Sequence, residues 1–138
     1  MSDHLVSEDD HIALARLVTE LVWRIDHGRA DEVHELFTND GEMILGPTSL
    51  RGRSELKEWG RARHGTSFRT YHVCTNMRFL HTSDTQAEGT TTLTLYMAEA
   101  ASTSQTIPSA VGEYKDRFER TPEGWRFVSR RSDPTFRP

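Results

Sequence analysis

The 138-residue chain carries 17 Lys and Arg against 21 Asp and Glu, with 35% hydrophobic and 28% charged residues. That balance is too apolar for a disordered chain and too polar for a membrane span, and a net charge of −4 gives no general attraction to nucleic acid or anionic lipid. The single cysteine, Cys74, excludes an intrachain disulfide and a cysteine-based zinc site, and the length suits one domain over residues 1–138.

The acidic start Met1-Ser2-Asp3-His4-Leu5 lacks the basic and apolar regions of a secretory signal, so a cytoplasmic location is expected. From Ser7 to Asp26, Leu14, Leu17, Val18, Leu21, Val22 and Ile25 recur at helical spacing. Ser7 or Asp9 is suited to cap this helix, and Gly28 to end it. A second short helix is expected over Asp31–Phe37, with Val33, Leu36 and Phe37 on one side. Asn39-Asp40-Gly41 reads as a turn, Glu42–Leu45 as a short strand stopped by Gly46-Pro47, and Leu50–Arg53 as its return. Ser54 then opens a third helix through Trp59, limited by Gly60 and Gly65.

Beyond this point β-branched and aromatic residues dominate. Strands are expected over Phe68–His81, Ala87–Ala98, Ile107–Arg120 and Gly124–Arg131, with a polar loop over Ala100–Ser109 and a tail over Ser132–Pro138. Short polar turns force consecutive strands to pair antiparallel. The resulting α+β architecture is a curved, mostly antiparallel sheet with three N-terminal helices on one face.

Ionisable residues on the inward face mark candidates for chemistry. Asp26 continues the Val18–Val22 stripe at the end of the first helix, where desolvation and the helix dipole both demand a cationic partner. The alternative is an exposed Asp26 in a frayed last turn beside Arg24 or His27. Strand alternation puts His72 with Cys74 and Asn76 on one face, opposite Tyr71, Val73, Thr75, Met77 and Phe79; a histidine satisfied within the core is the plainer reading. Cys74 as a nucleophile lacks any oxyanion motif. In the last strands Tyr114 shares a face with Gly112, Asp116 and Phe118, while Arg130 alternates opposite Trp125 and Phe127. Tyr114 can pack and donate in an apolar pocket, and Trp23 either lines the same region or simply packs. His4, His11, His34 and His64 show no paired ligand spacing, so no metal is expected.

The order of elements, with Asn39-Asp40-Gly41, Gly52-Arg53, Tyr71-His72-Val73-Cys74-Thr75-Asn76, Gly112-Glu113-Tyr114 and Gly124-Trp125-Arg126-Phe127, resembles the SnoaL-like branch of the nuclear transport factor 2-like superfamily. The resemblance implies a cone-shaped, cystatin-like barrel with one deep pocket, and a homodimer or homotrimer. Asp26 and His72 look like the Asp-His pair of scytalone dehydratases and hexachlorocyclohexane dehydrochlorinases, in which the histidine takes a proton from carbon and the aspartate orients it. This implies a cofactor-independent lyase or isomerase acting on a small apolar or polycyclic substrate, with Tyr114, Asn76 and Arg130 as donors or pocket lining. Departures are Ile25, where the dehydratases carry tyrosine, and Thr90-Thr91-Thr92, where they carry a second histidine. Met43-Ile44-Leu45 lacks the ketosteroid isomerase base, and the sequence does not assemble the Asp-Arg-Asp set of limonene epoxide hydrolases. Two other classes stand beside the lyase reading. One is a non-catalytic ligand-holding or assembly module like the small subunit of ring-hydroxylating dioxygenases. The other is nucleic-acid binding through Arg51, Arg53, Arg61 and Arg63, a run more typical of a solvated helix face.

Overall fold

The computed structural model describes residues 4–102 and 106–138. Helix α1 spans Glu8–Asp26; the Ser7 hydroxyl accepts from the Asp10 backbone N–H, and Glu8, Asp9 and Asp10 sit at the positive end of the dipole. Its six periodic residues, Leu14 to Ile25, are all buried. Gly28, at φ +77°, turns the chain away after Asp26.

The second helix is a 3₁₀ segment, Ala30–Leu36, not an α-helix over 31–37. Its buried residues, Ala30, Val33 and Leu36, recur every third position, which is the 3₁₀ repeat. Strand β1, Phe37–Leu45, and strand β2, Thr48–Arg51, form a hairpin. Asn39-Asp40-Gly41 is therefore no turn; it lies inside β1, where the register with its neighbour shifts between Phe37 and Glu42. A side chain at Gly41 would meet Phe37 Cβ at 2.8 Å, so the bend requires glycine. Helix α2 runs Gly52–His64, longer than expected at both ends, and Ser54 is within it rather than at its cap. Gly65 caps α2, but Gly60 does not end it: a Cβ there would run into the Ala30 carbonyl, and the glycine lets α2 lie against the 3₁₀ segment.

Four long strands follow: β3 (Phe68–Ser83), β4 (Gln86–Glu99), β5 (Ala110–Thr121) and β6 (Gly124–Phe136). Residues 103–105 of the expected polar loop lie outside the described residues. The expected C-terminal tail is largely strand, since Ser132 pairs with Tyr114 and Phe136 with Val111. The six strands form one curved, unclosed sheet of order β2-β1-β6-β5-β4-β3. Every neighbouring pair is antiparallel except β1 and β6, which run parallel.

Two one-residue bulges decide which side chains face inward. Thr75 pairs with Thr92 and Arg78 with Thr90, so β3 holds one extra residue around Asn76, whose φ is +53°. Inward positions are Thr70, His72 and Cys74 before the bulge and Met77 and Phe79 after it, not one uninterrupted alternation. Likewise Arg117 pairs with Ser129 and Phe118 with Phe127, leaving Val128 as the extra residue of β6. The phase reverses there, and Arg130 joins Trp125 and Phe127 on the inner face, contrary to simple alternation. Phe37, Phe79, Phe118 and Phe127 fill the narrow end of the interior, where Asp10 accepts from Trp125 Nε1 at 3.2 Å and Arg120 Nη2 at 2.8 Å.

Candidate active site

The last residue of α1 reaches across to the start of β3. Asp26 Oδ1 lies 2.6 Å from His72 Nδ1 and accepts the Thr70 hydroxyl at 2.7 Å; Oδ2 accepts the His72 backbone N–H at 2.8 Å. The side chains are 5% and 11% exposed for Asp26 and His72, so the pair is largely withdrawn from water. The helical stripe aims Asp26 inward rather than into a frayed turn. A carboxylate only accepts, so the ring gives its Nδ1–H to Asp26, and the lone pair of the neutral form falls on Nε2. Arg63 Nη2 donates to Thr70 Oγ1 at 3.1 Å, extending the chain of hydrogen bonds to the surface of α2.

Below the pair the inner face changes character. His72 pairs with Leu95 and Cys74 with Leu93, and these leucines border a cleft of about 360 Å³ with Met97, Gly112, Ser132 and Pro134. Burial pushes the Cys74 thiol up to about 11, which keeps it protonated and unreactive as a nucleophile. Burial likewise raises the Tyr114 phenol, against the pull of Arg130. The Arg130 guanidinium lies 3.7 Å from the Tyr114 ring centroid and donates through Nε and Nη2 to the two Asp116 oxygens, each at 2.8 Å. Burial works against the Arg130 charge, but Asp116 restores it, so the guanidinium stays protonated. Among the described residues its Nη1 is buried without a partner, as is Thr91 Oγ1 on the strand position paired with Tyr114.

The structure thus brings Asp26, His72, Tyr114 and Arg130 to one concave face and leaves two expected residues off it. Asn76 is exposed at the β3 bulge, because the extra residue turns it away from His72 and Cys74. Trp23 is 43% exposed and stacks on His27, with centroids 4.2 Å apart, outside the interior. Nor do the basic residues make a common face: Arg53 donates to the Phe37 carbonyl, Arg51 pairs with Glu42, and Arg63 turns to Thr70. Among the described residues no three His, Cys, Asp or Glu side chains form a metal-binding group. No helix of the described chain is long and apolar enough to cross a membrane. Sequence reasoning missed Thr70, which period-two spacing from His72 would have found. It also missed the Asp116–Arg130 pairing, which the Val128 bulge hides.

A family model for the SnoaL-like domain matches residues 7–131. The chain belongs to the SnoaL-like domain family. No curated protein matches this SnoaL-like chain significantly. Among solved structures, a provisionally assigned aromatic ring hydroxylase from Novosphingobium aromaticivorans superposes with a TM-score of 0.83 at 18% identity, over 95% of this chain and 92% of that one. A provisionally assigned scytalone dehydratase from the same organism gives 0.79 at 20%, over 94% and 89%. A protein of unknown function from Mycobacterium tuberculosis gives 0.80 at 22%, over 93% and 77%. A nuclear transport factor 2-like protein with a cystatin-like fold, also from Novosphingobium aromaticivorans, superposes with a TM-score of 0.70 at 21% identity over 89% of this chain and 80% of that one, which gives the SnoaL-like domain that fold.

Proposed function

We propose that this SnoaL-like domain is a lyase or isomerase that removes a proton from carbon without a cofactor, with His72 as the base and Asp26 as its orienting partner. The 2.6 Å contact between Asp26 Oδ1 and His72 Nδ1 carries the reading. It sets the tautomer, leaves Nε2 basic, and places a negative charge where the imidazolium forms. In an elimination, the C–H electron pair becomes the new C=C bond as Nε2 takes the proton. The leaving hydroxyl or halide departs with its own electron pair; a departing hydroxyl takes the proton back from the imidazolium as water. In an isomerisation the same proton returns to a different carbon. Arg130, sealed against the Tyr114 ring and paired with Asp116, contributes a fixed field to the interior rather than a hydrogen bond to substrate.

The substrate that suits this interior is small and apolar, or polycyclic. Because Asp116 already neutralises Arg130, the interior presents no net positive charge to a ligand. The deciding experiment screens elimination and isomerisation substrates against the parent and the Asp26→Asn and His72→Ala variants, with circular dichroism as the control for folding. Each variant is expected to lose roughly 10²–10⁴ in kcat while remaining folded. Parent protein that binds such compounds yet turns none over would assign it a ligand-holding role instead.

A further inference from the structure

Beside the Asp26–His72 pair, the C-terminal ends of α1 and α2 and the first residues of β3 enclose a second cleft, of about 310 Å³. Its walls include Arg63, Arg69, Thr66, Tyr71 and Gly28, and its floor is the Asp26–Thr70 contact. The charge balance there differs from that around other arginines of the chain. Arg24 meets Glu20 and Glu35, Arg29 meets Glu32, Arg120 meets Asp10, and Arg130 meets Asp116. Among the described residues Arg63 donates only to neutral oxygens: Thr66 Oγ1 at 3.0 Å, Thr70 Oγ1 at 3.1 Å and the Phe68 carbonyl at 3.4 Å. Arg69 is exposed and, among the described residues, has neither a carboxylate nor a hydrogen-bond acceptor as partner. His64, on the same wall, is 3.6 Å from Asp31. Asp26, the carboxylate at the cleft floor, is already engaged by three donors.

We infer that this cleft is a binding site for a small free oxyanion, held between the Arg63 and Arg69 guanidinium groups. Two unneutralised guanidinium groups facing one small concave volume focus a positive potential, and their planar donor forks match the oxygens of a phosphate or sulfate. The anion stands over the Asp26–Thr70 contact, apart from His72, Tyr114 and Arg130, none of which lines this cleft. It does communicate with the concave interior. Arg63 donates to Thr70, Thr70 to Asp26, and Asp26 holds His72, so an anion that draws Arg63 toward itself alters the hydrogen bonding on Asp26.

The inference does not depend on the proton-transfer reading, since binding is read without turnover. The test titrates inorganic phosphate into the full-length protein at constant ionic strength, following the arginine Nε–Hε and His72 ring resonances by NMR. Saturable shifts at Arg63, Arg69 and His72 are expected, with affinity at least tenfold weaker in Arg69→Gln and unchanged in Arg61→Gln. Arg69→Gln removes no hydrogen bond from the folded chain, so loss of binding there is not loss of structure. Shifts that follow ionic strength without saturating, or equal affinity in parent and Arg69→Gln, would overturn the site.

Discussion

Asp26 and Asp116 each place a carboxylate in the concave interior, yet they are satisfied in different ways. Asp26 accepts from Thr70, the His72 backbone and the His72 ring. Asp116 accepts twice from one guanidinium, and the remaining nitrogen of that guanidinium has no partner among the described residues. The partner of Asp26 can release its charge by losing a proton, whereas the partner of Asp116 cannot. One interior therefore holds a pair able to move a proton and a pair able only to supply a fixed field. Their positions match those roles, because His72 is 11% exposed while Arg130 is sealed.

Removing one partner from each pair is the strongest way to break this contrast. Asp116→Ala should destabilise the fold by about 3–5 kcal/mol, since it strands a buried permanent charge. Asp26→Ala should cost less, about 1–3 kcal/mol, because His72 can remain neutral. Equal losses in urea unfolding would end the distinction. A finer probe is Thr70→Val, which deletes one charge-assisted hydrogen bond to Asp26 and the link to Arg63; a loss of about 2 kcal/mol is expected in the same assay. Asn76→Val tests the bulge that turns β3 between the two pairs: a β-branched residue at φ +53° should cost about 1–2 kcal/mol, and Asn76→Gly almost nothing. The smallest effect concerns Cys74, set between the pairs. With its thiol raised to about 11, alkylation by iodoacetamide should keep climbing about tenfold per pH unit from pH 8 to 10, where an ordinary thiol levels off.

Local periodicity made much of the fold legible. The α1 stripe from Leu14 to Ile25 predicted both the helix and the inward aim of Asp26, and alternation from Thr70 to Cys74 held because that stretch of β3 is regular. Legibility stopped where a single extra residue changed the phase. Asn76 was grouped with His72 and Arg130 was set apart from Phe127, each because a bulge depends on the neighbouring strand and leaves little local trace. An asparagine inside a strand was the one hint, since it tolerates positive φ; Val128 offered none. Asn39-Asp40-Gly41 misled in the opposite direction: turn-forming residues served a bend within β1 that only the packing of Gly41 on Phe37 explains. The carboxylate partner of Arg130 was invisible for the same reason as its face.

The parallel pairing of β1 with β6 also bears on how the protein is made. Phe37 finds its strand partner only in Phe127, and Met43, paired with Leu50 on one side, finds its other partner in Arg130, so the sheet stays divided into an early hairpin and a later meander until the last strand is present. Such a long-range junction raises contact order and slows folding. On the ribosome, β1 and β2 wait with an unpaired edge until residues 124–136 clear the exit tunnel, and that edge is open to chaperones or to a neighbouring nascent chain in the interval.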